Sequence, residues 1–136
     1  MSCDPMLTGM LYQVQINEVD NSNSYSYTFL GMVTKSPDTF TLPNTFFSPH
    51  PAALCVTPVC VCIFGDTKRE EWSVLDELAA GSKVGLAVDT DRSLHLYVDG
   101  KHQGVVAPDI PTPCYFMFDL YSRCTKVTAL PVTSVP

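Results

Sequence analysis

The chain has 136 residues, of which 46% are apolar and 16% charged, so it is long enough for one domain with a core and too apolar for a disordered acidic tail. Fourteen acidic against eight basic side chains give a net charge of −6. The scattered Lys and Arg residues form no basic face of the kind that binds phosphates, which argues against nucleic acid as a partner.

The first half of the chain predicts two strands and a long loop. Residues Leu11 to Val19 alternate between apolar and polar side chains, as in a half-buried strand. Tyr25 to Thr34 predict a second strand, which we expect to pair with the first as a hairpin. Gly31 inside it indicates a bulge or a close backbone approach. The prolines and aromatic residues of Lys35 to Pro58 predict a long ordered loop.

The second half predicts a series of short antiparallel strands. Val59 to Phe64 is a continuous apolar run typical of a central strand, and Val74 to Leu78 predicts one helical turn. The strongest hairpin signal is Asp99-Gly100, because a type I′ turn needs positive φ at both central positions. Further strands are predicted at Val84 to Thr90, Ser93 to Val98, Gly104 to Ala107, Cys114 to Leu120 and Thr125 to Leu130. Together they predict an all-β antiparallel sandwich, as a single domain over residues 1–136.

The sequence predicts no membrane span and a cytoplasmic location. It has no run of about 18 apolar residues. Asp4 and Pro5 stand where a signal peptide would need a basic and then an apolar segment. We therefore expect the six cysteines to be reduced thiols.

No catalytic, metal or cofactor site is predicted. Cys55, Cys60 and Cys62 form only half of a zinc-binding pattern, so we interpret them as buried thiols. His95 lies on the strand face opposite Leu94, Leu96 and Val98 and is interpreted as a surface histidine, because no nucleophile motif accompanies it. The sequence also lacks a phosphate loop and a dinucleotide fingerprint.

Two other function classes stay open at this point. Trp72, the only tryptophan, is interpreted as a half-buried packing residue with a local partner for its N–H, but it would also suit a lectin-like carbohydrate-binding β-sandwich. A thiol enzyme would use Cys55 or Cys114 as an unusually acidic thiol.

Three segments resemble the neuralized homology repeat (NHR) domain of the Neuralized protein family. Ser36-Pro37-Asp38 with Leu42-Pro43-Asn44-Thr45 resembles the family's SP-e…PNT stretch. The segment from Gly81 to Gly104 is similar to its G-x-x-VG…D-G-x-L-H-x-x-x-NG-x-x-x-G pattern. Tyr115 to Cys124 is similar to its Y-x-x-x-D-L-Y-G-x-C pattern. The order and spacing of these segments agree over most of the chain.

The chain also departs from the family pattern. The hairpin NG is Asp99-Gly100 here, the glycine after DLY is Ser122, and the DG before the hairpin strand is Asp91-Arg92. The opening residues Ser2 to Met6 resemble the end of the family's first segment, so the resemblance implies that N-terminal strands are lacking. An unpaired sheet edge would favour self-association.

The resemblance implies a SPRY/concanavalin-like β-sandwich that acts as a non-catalytic protein–protein interaction module. In that family such modules select a substrate or partner for a ubiquitin-ligase system. The matched motifs are scaffold, so we predict the binding residues from physics, on loops carried by the rigid sandwich. The predicted partner-binding residues are Asn44, Phe46, Phe47, Arg92, Lys101 and His102.

Overall fold

A computed structural model describes residues 4–19, 29–35, 52–58, 60–119 and 124–136. The described chain forms two antiparallel β-sheets with one short 3-10 helix, Ser73–Asp76, where the sequence predicts a helical turn. The strands are β1 (Met10–Val19), β2 (Phe29–Val33), β3 (Ala53–Val56), β4 (Val61–Ile63), β5 (Asp66–Lys68), β6 (Lys83–Val88), β7 (Leu94–Val98), β8 (Lys101–Ala107), β9 (Tyr115–Asp119), β10 (Cys124–Ala129) and β11 (Thr133–Ser134).

The two sheets confirm the predicted all-β antiparallel architecture. In the first sheet the strand order is β10-β1-β6-β7-β8, with β11 also paired to β1. In the second sheet the order is β5-β4-β3-β2-β9. Within the described residues, no helix has the length and apolar composition needed to cross a bilayer.

The core lies between the sheets and is built by the period-2 alternation of the strands. Tyr12, Val14 and Ile16 of β1 point inward, as predicted, and Leu30 and Met32 of β2 are fully buried. Burial of each large aliphatic side chain contributes about 1.5–3 kcal/mol to the free energy of unfolding. The alternation also places β7 as expected, with Leu94, Leu96 and Val98 in the core.

The predicted hairpin of the first two strands is wrong. β1 pairs with β6 through Leu11 to Gln15 and with β10 through Val14 to Val19, so both of its edges are occupied. β2 lies in the other sheet, between β3 and β9. The physical reason is that each strand buries an apolar face, and the two faces meet across the core instead of lying side by side.

The structure also has strands that the pattern does not predict. β3, Ala53–Val56, lies inside the segment predicted as loop, and its four residues are all buried. The sequence pattern does not indicate a strand here, because prolines flank this short apolar run on both sides. β5, Asp66–Lys68, is fully exposed and polar, and β11 has only two residues, so neither carries an apolar signal. The central strand predicted at Val59 to Phe64 is present as the shorter β4, Val61–Ile63.

The turn between β7 and β8 is the type predicted. Asp99 has φ of 51° and Gly100 has φ of 77°, so both central residues are in the left-handed region. Asp99 fixes this turn to β6, because its Oδ1 accepts the Lys83 N–H at 2.9 Å and its own N–H donates to the Lys83 carbonyl at 2.8 Å.

Gly31 marks a close backbone approach, one of the two explanations predicted. It lies opposite Cys55 in the β2–β3 pair. A Cβ at position 31 would overlap the Leu54 carbonyl oxygen and lie 2.9 Å from its carbon. We expect Gly31→Ala to lower the free energy of unfolding by about 3 kcal/mol, measured by urea denaturation, because backbone atoms cannot move aside cheaply.

Gly9→Ala is the matched control for this substitution. Gly9 has φ of 77° but open space where a Cβ would lie, so only backbone strain opposes the change, at about 1 kcal/mol. Equal losses in the two variants would contradict the steric explanation for Gly31.

Candidate partner-binding surfaces

Lys101 and His102 begin β8 and are both exposed, so two of the predicted binding residues lie at the surface. They follow a turn that is anchored to the neighbouring strand through Asp99. Their backbone is therefore held by the sheet, while their side chains are available for contact. Both residues are paired with β7, so they are strand residues next to a turn and not loop residues as expected.

His102 is part of a hydrogen-bonded group that sequence reasoning missed. His102 Nε2 and His95 Nδ1 are 2.7 Å apart, and His95 Nε2 is 2.7 Å from Asp89 Oδ2. The rings of His95 and His102 have centroids 4.9 Å apart, and the ring of Tyr97 lies 5.3 Å from that of His102. The group lies on the outer face of the sheet, opposite the core-facing side chains of β7.

Asp89 holds one end of this group. Its Oδ1 accepts the backbone N–H groups of Ser93 and Asp91, each at 2.9 Å, and Oδ2 contacts His95. The Ser93 N–H, followed by the His95 side chain, lowers the pKa of Asp89 below its ordinary value. An ionised carboxylate only accepts hydrogen bonds, so His95 Nε2 carries a proton, and in the neutral pair His102 Nε2 donates to His95 Nδ1.

The register of the hairpin contains the signal for this histidine pair. A two-residue turn at Asp99-Gly100 places Tyr97 opposite His102, and His95 then lies diagonally across on the same face. The interpretation of His95 as a surface histidine on the outer face is correct. Its hydrogen bond to His102 becomes apparent only from the position of His102 in β8.

Arg92 has a different environment from the other predicted residues. It lies in the turn before β7 with φ of 63°. Its Nε donates to the Ile110 carbonyl at 2.9 Å and its Nη2 to the Pro111 carbonyl at 2.7 Å, while Nη2 also lies 3.9 Å from Cys114 Sγ. The Ile110 N–H in turn donates to the Arg92 carbonyl at 2.8 Å. The guanidinium thus fixes the loop between β8 and β9.

The three predicted residues that the structure describes, Arg92, Lys101 and His102, do not converge on one point. Arg92 precedes β7 and Lys101 follows it, and a five-residue strand spans about 17 Å. The structure therefore separates Arg92 from the pair Lys101 and His102 by the length of β7. The other predicted residues, Asn44, Phe46 and Phe47, lie outside the described residues.

An open apolar cleft of about 860 Å³ lies between the sheets at the edge formed by β9 and β10. Its inner wall is Tyr12 and Val14 of β1 and Phe116 of β9. Leu7 and Val132 line its mouth and are 63% and 46% exposed. Sequence reasoning did not find this cleft, because it depends on which strands end each sheet.

Trp72 is half-buried against the core, which confirms its interpretation as a packing residue. Its ring lies so close to Gly104 that a Cβ there would be 3.1 Å from Trp72 Cη2. Contrary to expectation, its N–H is buried without a hydrogen-bond acceptor among the described residues. Packing on Gly104 sets the position of the ring and leaves less of it available for stacking on a sugar.

The cysteine environments favour packing over thiol chemistry. Cys55 and Cys62 are buried, as predicted, and so is Cys114, whereas Cys60, also interpreted as a buried thiol, is only half-buried. Burial raises the pKa of the Cys114 thiol, although the nearby Arg92 acts in the opposite direction, and burial raises that of Cys62 as well. A raised pKa disfavours the thiolate that a nucleophile needs. Among the described residues no group of three metal-ligating side chains converges.

Comparison with known proteins agrees with the fold and with the sequence motifs. The family model for Neuralized matches residues 1–131. The crystal structure of the NHR1 domain of Drosophila melanogaster neuralized superposes with a TM-score of 0.69 at 17% identity, covering 93% of this chain and 75% of that one. At that identity the structural match shows a shared fold, while the family model spans nearly the whole sequence. This chain therefore belongs to the Neuralized family, and its β-sandwich is an NHR-type domain.

Proposed function

We propose that this protein selects a substrate or partner for a ubiquitin-ligase system in the cytoplasm and does no chemistry itself. The observation that carries the proposal is the family match over residues 1–131, since NHR-type domains are protein-interaction modules. Burial raises the pKa of Cys114, one of the two thiols considered for an enzyme, and this supports a binding role over a thiol-enzyme role. We further propose that residues 1–136 act as a single domain.

The start of β8 is the proposed contact surface in the described part of the chain. Lys101 and His102 are exposed there, and Val105 of the same strand is 47% exposed. Because the chain as a whole is acidic, Lys101 provides a local cation that would complement an acidic group on a partner. Asn44, Phe46 and Phe47 remain proposed contacts, and Arg92 would contribute by holding the loop before β9.

Charge reversal at Lys101 tests this surface. We expect Lys101→Glu to weaken capture of the protein's partner about tenfold, because a rim cation is replaced by a like charge facing an acidic group. The readout is quantitative mass spectrometry of proteins retained by the tagged chain. Lys126→Glu is the matched control: Lys126 is 70% exposed on β10, at the opposite edge of the same sheet, and its ion pair with Glu18 at 3.4 Å is exposed.

The ubiquitin link is tested on the proteins that this comparison identifies. Proteins lost with Lys101→Glu and kept with Lys126→Glu should carry more ubiquitin in cells that express the unaltered protein than in cells that express Lys101→Glu. Unchanged ubiquitination of such proteins would contradict partner selection for a ligase while leaving the binding role intact. Equal loss in both lysine variants would contradict the proposed surface.

We also propose self-association through the edge of the sandwich at the apolar cleft. β9 and β10 are the last described strands of their sheets, and a strand without a neighbour exposes backbone groups that can pair with another chain. Exposed Leu7 and Val132 add apolar surface beside those edges. A second copy that covers the cleft would remove this surface from water.

Leu7→Glu tests the self-association proposal. We expect the average mass of the unaltered protein to rise with concentration in sedimentation experiments, and Leu7→Glu to suppress that rise, because a charge would be buried between the copies. Val105→Glu is the control, since Val105 is a 47% exposed residue on the opposite edge strand. A monomer at all concentrations would refute the proposal.

A further inference from the structure

We propose that the paired imidazoles of His95 and His102 form a two-histidine site for a divalent transition metal ion, with zinc as the physiological candidate. The two nitrogens that face each other, His95 Nδ1 and His102 Nε2, are only 2.7 Å apart. Imidazole nitrogen is a ligand that zinc, copper and nickel share. Since no third ligating side chain of the described residues converges here, water or a partner's side chain would complete the coordination.

Asp89 gives His95 the second contact that metal-binding histidines usually have. Such histidines donate their other ring N–H to a carboxylate or carbonyl, which fixes the tautomer and the direction of the free lone pair. Here His95 Nε2 lies 2.7 Å from Asp89 Oδ2. The other carboxylate oxygen accepts two backbone N–H groups, from Asp91 and Ser93, so Asp89 is held in place before any ion arrives. His95 Nδ1 therefore presents its lone pair towards His102.

Metal binding requires a change of tautomer and a rotation of the His102 ring. The proton that His102 Nε2 donates to His95 Nδ1 leaves, and Nδ1 of the same His102 ring takes up a proton, so the ring changes tautomer without a change in charge. Two zinc–nitrogen bonds at a tetrahedral angle separate the nitrogens by ~3.3 Å, against 2.7 Å in the pair, and the His102 ring must also turn so that both lone pairs point at the ion and not along one line. His102 is exposed and can make this movement, while the His95 side chain, 18% exposed, stays fixed by Asp89.

Among the described residues, the cysteines of the second sheet are competing zinc ligands. Cys55 lies opposite Cys62 in the β3–β4 pair, and Cys60 lies next to them in the same apolar cluster. Burial raises the pKa of Cys62, which disfavours the thiolate that zinc needs. A test must therefore identify the ligand atoms as well as measure zinc uptake.

The test is a titration of the full chain with zinc chloride, followed by calorimetry and by NMR of the histidine ring nitrogens. We expect one equivalent to bind and the ring nitrogens of His95 and His102 to shift together. His102→Gln should abolish this binding, and Asp89→Asn should weaken it about tenfold or more, as loss of an outer-shell partner does. Copper(II) should bind more tightly than zinc at the same nitrogens.

Asp91→Asn is the matched control. Asp91 lies in the same turn, and its side chain makes no hydrogen bond to His95 among the described residues. Zinc affinity should therefore not change in this variant. Circular dichroism establishes that each variant is folded. Zinc uptake that persists in the double variant His95→Gln/His102→Gln, zinc uptake that leaves both histidine signals in place, or no uptake at millimolar zinc would each overturn the proposal.

Discussion

The first sheet depends on β1, because it is the strand that joins two parts of the chain far apart in sequence. The meander β6-β7-β8 is made of local hairpin contacts, while β10 comes from near the end of the chain. β1 pairs with β6 on one edge and with β10 on the other, and its inner face supplies Tyr12, Val14 and Ile16 to the core. Without β1 the sheet would consist of the meander and two separate strands, β10 and β11, and the apolar faces would have no common neighbour.

How far the sequence predicts this fold depends on the range of the contacts involved. The Asp99-Gly100 turn and the inward faces of β1 and β7 follow from local rules, since turn conformation and side-chain alternation depend on a few neighbouring residues. The choice of partner strand does not follow from local rules. β1 and β2 are adjacent in sequence and both suit a hairpin, yet they lie in different sheets because each buries its apolar face against the other sheet. Short polar strands such as β5 carry no pattern at all.

The candidate binding surfaces likewise combine features that local sequence predicts with features that depend on how the strands pair. Residue type and turn position predict that Lys101 and His102 are exposed, which the structure confirms. The position of His102 near His95 follows from the register that the Asp99-Gly100 turn sets, but the contact of His95 with Asp89 depends on the path of the turn before β7, where Asp89 accepts the Asp91 and Ser93 N–H groups. The cleft between the sheets is harder to predict from the sequence, because it lies where β9 and β10 are the edge strands of their sheets in the described part of the chain.

Arg92 fixes the path of the loop between β8 and β9 without determining which side chains that loop carries. Its guanidinium donates to the main-chain carbonyls of Ile110 and Pro111, and these groups are present whatever side chains the loop carries. The anchor therefore places little demand on the exposed side chains of this loop. Substitutions at such positions would change what the loop presents to another molecule while its path stays the same. Because one arginine in a neighbouring turn holds this loop, its exposed side chains can differ among related proteins without destabilising the fold.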